Sequence, residues 1–121
     1  VFDSSTTFRL PSTAMRSPDA AWVSRERWEA LSEKEQRQFP PLCPDFIIEL
    51  RSETDSLNSL KEKMEEWLAN GCRLGWLIDP KDRKAYVYRP GREVETVSFR
   101  ESALRGEEVL PGFELDLRLL E

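Results

Sequence analysis

The hydrophobic pattern centres on Pro44-Asp45-Phe46-Ile47-Ile48-Glu49-Leu50-Arg51-Ser52, an apolar run that holds one carboxylate. The run is short, β-branched, opened by a proline and closed by a polar turn, which predicts a buried strand. Successive side chains of a strand point to opposite faces. Phe46, Ile48 and Leu50 therefore share one face, and Asp45, Ile47, Glu49 and Arg51 share the other. The period then changes. Leu57, Leu60, Met64, Trp67 and Leu68 fall on one helical stripe, predicting a helix from Leu57 to Asn70 that Asn70-Gly71 stops and Asp55 or Ser56 caps. Leu74-Gly75-Trp76-Leu77-Ile78 reads as a second buried strand. Strand, helix and strand with tight connections predict a βαβ unit with parallel strands.

The flanks are shorter and more punctuated. Thr7 to Leu10 predicts a short strand between polar turns with Pro11 and Pro18. Ala20 to Val23 predicts another, on which Asp19, Ala21 and Val23 share a face. Ser24 is placed to cap a helix from Arg25 to Leu31, and Ser32 with Glu35 has the spacing of a capping box. After the second buried strand, Asp79 to Asp82 turns the chain into Ala85 to Tyr88, and Pro90-Gly91 turns it into a strand over Val94 to Phe99. Phe113 to Leu117 alternates as an edge strand should. The sum is an α/β chain with a mixed sheet and no internal repeat.

Composition narrows the chemistry. The 121 residues suffice for one cored domain, and no run is long and apolar enough to span a membrane. No signal peptide is visible. The net charge of −5, from 18 basic and 23 acidic residues, argues against a purely electrostatic nucleic-acid binder. It leaves room for an enzyme that brings divalent metal to a phosphate backbone. There is no histidine, which removes histidine acid–base catalysis, Ser-His-Asp triads and histidine metal sites. Cys43 and Cys72 form no CxxC and read as two reduced thiols of a cytoplasmic protein. No glycine-rich phosphate loop or GxSxG elbow is present. Carboxylate and lysine chemistry remains.

Glu49 is the first residue to explain. A carboxylate in the middle of an apolar strand is costly unless a metal ion or a cation pairs it. A structural salt bridge with Arg51 or a lysine is the plainer alternative. Asp45 shares its face but lies four residues away, about 13 Å at strand rise. Magnesium holds its oxygens at about 2.1 Å, so those two acids do not readily share one ion. Asp19, at the start of the preceding strand, is the best partner if the two strands pair. Asp45 is expected to satisfy backbone amides where the strand begins, or to support the ligands from behind. Lys63 lies about 90° from the centre of the helical stripe, and Lys61 flanks the other side, so periodicity alone does not choose between them. Arg51, near Glu49, suits phosphate contact or support of the site but not proton transfer. Trp22, Trp28, Trp67 and Trp76 read as core, and Asp79 as a turn residue.

Several segments together resemble a known family: Ser17-Pro18-Asp19 with Ala20-Ala21-Trp22-Val23-Ser24-Arg25-Glu26-Arg27, Pro44-Asp45 through Glu49 to Ser52, Lys63-Met64-Glu65-Glu66-Trp67, Gly71, Trp76-Leu77-Ile78-Asp79-Pro80 and Leu110-Pro111-Gly112-Phe113. The chain resembles the bacterial Uma-two restriction endonucleases of the PD-(D/E)XK superfamily. The resemblance implies a restriction-endonuclease-like mixed β-sheet flanked by helices, as one domain over 1–121. It implies Mg²⁺-dependent hydrolysis of DNA phosphodiesters, with Mn²⁺ as an alternative ion and a homodimer as the working form. Asp19 and Glu49 match the metal-holding acids, and Lys63 matches a catalytic lysine carried on the helix. Arg51 stands where the superfamily more often has that lysine. An N-terminal helical and strand segment of the family is absent, and Trp67 stands where tyrosine is commoner. These departures, with the acidic charge, keep open a catalytically inactive nuclease-fold module for binding or assembly.

Overall fold

A computed structural model of the chain describes residues 1–3, 6–100 and 103–120. Strands β1 (Phe2–Asp3), β2 (Phe8–Arg9), β3 (Met15–Arg16) and β4 (Ala20–Trp22) lead into helices α1 (Arg25–Glu29) and α2 (Glu33–Arg37). Then come β5 (Phe46–Leu50), helix α3 (Leu57–Ala69), β6 (Leu74–Asp79), β7 (Lys84–Tyr88), β8 (Glu95–Ser98), β9 (Ala103–Arg105) and β10 (Glu114–Asp116). A 3-10 turn, Leu117–Leu120, closes the described chain. Six strands form one mixed sheet in the order β1-β4-β5-β6-β7-β8. Within it β5 and β6 are parallel, with Glu49 opposite Leu77, and the other pairs are antiparallel.

The predicted βαβ unit is the middle of this sheet. Helix α3 is capped by Ser56, whose hydroxyl accepts the Ser59 amide, and Gly71 takes a φ of 112° where the chain leaves the helix. Its inward residues Met64 and Trp67 are fully buried against Ile47 of β5 and Leu77 of β6. Gly75 lets the helix sit this close. A Cβ there would stand 2.7 Å from Cε of Met64. The opposite face of the sheet carries Phe46, Trp76, Ile78, Val87 and Val97, covered by Leu104, Val109 and Leu117. The sheet is thus flanked by α3 on one side and by the C-terminal segment on the other.

The short N-terminal helices form for local reasons. Ser24 accepts the Arg27 amide, and Ser32 and Glu35 complete a reciprocal capping box. Helix α1 ends at Glu29, shorter than the predicted run to Leu31. Three strands escape the sequence pattern, β1, β3 and β9, because runs of two or three residues show no measurable alternation. The last strand is an edge strand, as its alternation predicts. Glu114–Asp116 pairs with β9 in a separate two-stranded sheet, and Leu117 turns fully into the core behind it. Of the four tryptophans, Trp67 and Trp76 are fully buried, while Trp22 and Trp28 are partly covered.

Because Trp67 is a large, fully buried side chain of α3, Trp67→Ala should cost about 3–5 kcal/mol of unfolding free energy, read from urea denaturation followed by circular dichroism.

Candidate active site

The antiparallel register of β4 on β5 sets the site. Ala20, the first residue of β4, stands opposite Ile48, and Asp19 lies just before that strand, next to Glu49. Each acid is tied to the other's backbone. The Asp19 amide donates to Glu49 Oε1 at 2.9 Å, and the Leu50 amide donates to Asp19 Oδ2 at 2.6 Å. Glu49 is 1% exposed, whereas Asp19 is open to solvent. The structure therefore brings Asp19, from the bend before β4, together with Glu49 of β5.

Helix α3 supplies the cation. Met64 and Trp67 fix its rotation, and Lys63, one residue before Met64, is swung towards β4 and β5. Its ammonium lies 2.5 Å from Glu49 Oε2 and donates to the Ser17 carbonyl at 3.2 Å. Lys61 takes the other flank, 4.7 Å above the Tyr86 ring, in cation–π contact. The structure thus separates two lysines that periodicity left equivalent. The Ser17 carbonyl has no side-chain signature, and no pattern in the sequence could have named it.

Burial raises the Glu49 pKa above the ordinary carboxylate value, against the opposing pull of Lys63 and the Asp19 amide. Lys63 is the partner of Oε2, as a close ion pair. A buried carboxylate oxygen held by an ammonium, near a second, solvent-open carboxylate, is a hard oxygen donor set. Among the described residues no group of three or more Asp, Glu, Cys or His is close enough to hold a metal. The residues present fit an ion that takes two carboxylates and keeps waters, which is the habit of Mg²⁺.

Asp45 and Arg51 are not brought into this group. Asp45 is buried where β5 begins. It accepts the Ser24 amide at 2.9 Å and pairs with Arg27 at 2.9 Å. Arg51 pairs with the fully buried Asp79 at 2.8 Å and reaches the Asp55 carbonyl. Asp79 also accepts the Lys81 amide, so it serves both the turn and the ion pair. Beside Lys63 opens a cleft of about 490 Å³, lined by Met15, Arg16, Ser17, Ser59, Glu62 and Glu66. Arg16 is bound there to Glu66 across a contact that the sequence did not single out.

A mixed sheet with a helix on one face, bearing paired acids and a lysine beside its central strand, defines a restriction-endonuclease-like α/β fold. The chain belongs to the family described as "Uma2: Putative restriction endonuclease", whose family model matches residues 1–118. Among solved structures it is similar to one described as "a putative nuclease belonging to DUF820" from Anabaena variabilis, with a TM-score of 0.85 and 22% identity. That match covers 98% of this chain and 65% of the other, so this chain spans about two thirds of its neighbour's length. No curated protein matches the chain.

Two outcomes follow from the buried charges. Arg51→Met leaves Asp79 buried without its cation and should cost about 3–5 kcal/mol, with much of that recovered in the double variant Arg51→Met, Asp79→Leu. Glu49 acts with the opposite sign. Its raised folded-state pKa means that its contribution is most favourable below the unfolded value and is lost as pH rises through the folded one. Metal-free Glu49→Gln should therefore melt above the wild type at neutral pH, with the difference shrinking as pH falls to the ordinary carboxylate range.

Proposed function

We propose that this chain is a Mg²⁺-dependent endonuclease of the PD-(D/E)XK type that hydrolyses DNA phosphodiester bonds. The observation that carries the reading is the buried Glu49 carboxylate, which accepts the Asp19 amide on one oxygen and meets Lys63 on the other. The family supports nuclease chemistry. Asp19 and Glu49 hold the ion, with Mn²⁺ as an alternative. When bound, it supplies Lewis-acid polarisation of the phosphate and lowers the pKa of a bound water. Lys63 orients the attacking water or meets the charge that develops on the phosphoryl oxygens. The Ser17 carbonyl limits where that ammonium can sit. Arg16 lies in the adjoining cleft, where a DNA backbone would meet it once Glu66 lets go.

The reading places the protein in the cytoplasm with DNA as its substrate, and as a homodimer, since cutting two strands is eased by two sites. No helix among the described residues is long and apolar enough to cross a membrane.

The test is nicking of supercoiled plasmid. The wild type should nick in Mg²⁺ or Mn²⁺ and not in chelator. Asp19→Asn, Glu49→Gln and Lys63→Met should each lose at least about 100-fold in rate. The acidic charge and the Glu66 brake on Arg16 favour a second reading, a nuclease-fold module that binds without cutting. Absence of metal-dependent nicking in a folded protein would decide for that second reading.

A further inference from the structure

We propose that Lys63 is a resident counter-cation, which a divalent metal ion must displace from Glu49 before the site is loaded. The inference rests on the metal-binding reading above and adds a competition to it. Glu49 has two oxygens, and Oε1 already accepts the Asp19 amide. Oε2 accepts no backbone amide, and the Lys63 ammonium stands 2.5 Å from it. Magnesium approaches an oxygen ligand to about 2.1 Å. An ion on Oε2 and an ammonium at the present distance from the same atom would press like charges together in a buried place, where repulsion is poorly screened. One of them must move.

The structure equips the lysine to be the one. It is held by the charged contact with Oε2 and by one hydrogen bond, to the Ser17 carbonyl. The side chain is 28% exposed and already lines the cleft. Glu62 stands on the wall of that cleft and offers the departing ammonium a new partner, and the Ser17 carbonyl gives it a pivot. Arg51 makes the contrast. It is 13% exposed, bound to a carboxylate with no exposure of its own, and anchored to a backbone carbonyl as well. A flexible stem carrying a compact ammonium can change station where a pinned guanidinium cannot. In the metal-free protein Lys63 thus neutralises the buried acid, and on loading it moves into the cleft, where a scissile phosphate would lie.

The experiment is isothermal titration of metal-free protein with Mg²⁺ and Mn²⁺, paired with the metal-induced rise in Tm. Lys63→Met should bind at least tenfold more tightly than the wild type and gain a larger rise in Tm. Lys63→Gln should follow it, which covers poor folding of the methionine variant. Lys61→Met removes the same charge one flank away and should change affinity less than twofold. Glu49→Gln should abolish binding. Metal affinity in both Lys63 variants equal to or weaker than wild type overturns the competition while leaving the metal site standing. An equal gain in Lys61→Met overturns it too, since net charge then explains the effect. No binding in the wild type or either Lys63 variant removes the metal reading itself, and the competition with it.

Discussion

A single buried carboxylate dictates much of how this sheet is assembled. Glu49 is set in the middle of an otherwise apolar strand, and its desolvation must be offset on both oxygens. A backbone amide from the neighbouring strand serves one, and a lysine from the overlying helix serves the other. The first requirement fixes the register of β4 on β5. The second fixes the rotation of α3, which Met64 and Trp67 fix independently by burial. Packing and electrostatics agree on one arrangement, and that agreement lets an unfavourable charge persist in the core. Such a charge is a standing cost to stability, of the kind commonly held for function.

The two other buried acids follow the same scheme. Asp45 and Asp79 each accept a backbone amide on one oxygen and pair with an arginine on the other. These are structural pairs that hold the beginning of β5 and the turn after β6. Glu49 differs in its cation, a lysine, and in having the exposed Asp19 beside it. Burial alone does not separate scaffold from site.

Much of this was legible in the chain. The apolar, β-branched run around Glu49, the stripe of α3 and the apolar run of β6 are long enough to declare their elements, and the parallel pairing follows from their order. Asp19 was reachable by exclusion, because Asp45 is too far along the same strand to share an ion. Other features were not legible. The choice of Lys63 over Lys61 depends on which flank faces β4, and helical spacing makes those flanks symmetric. The partner of Arg51 is Asp79, which its Asp-Pro context marks only as a turn. The strands of two or three residues are imposed by their neighbours, as is the small sheet that receives Glu114–Asp116. Where contacts are long-range and made by backbone, as with the Ser17 carbonyl, side-chain identity carries no trace of them.

The position of β4 in the sheet has a consequence for how the molecule breathes. Glu49 and Lys63 belong to a strand and a helix anchored deep in the centre, but Asp19 immediately precedes β4, a strand with only the two-residue β1 beyond it. Fraying starts at such margins, with few interactions to lose. One carboxylate of the pair therefore rides on the part of the sheet that peels away most cheaply. Transient detachment of that margin would undo the acid pair while the centre stays folded, and hydrogen exchange at the Leu50 amide, which Asp19 shields, would register each such event.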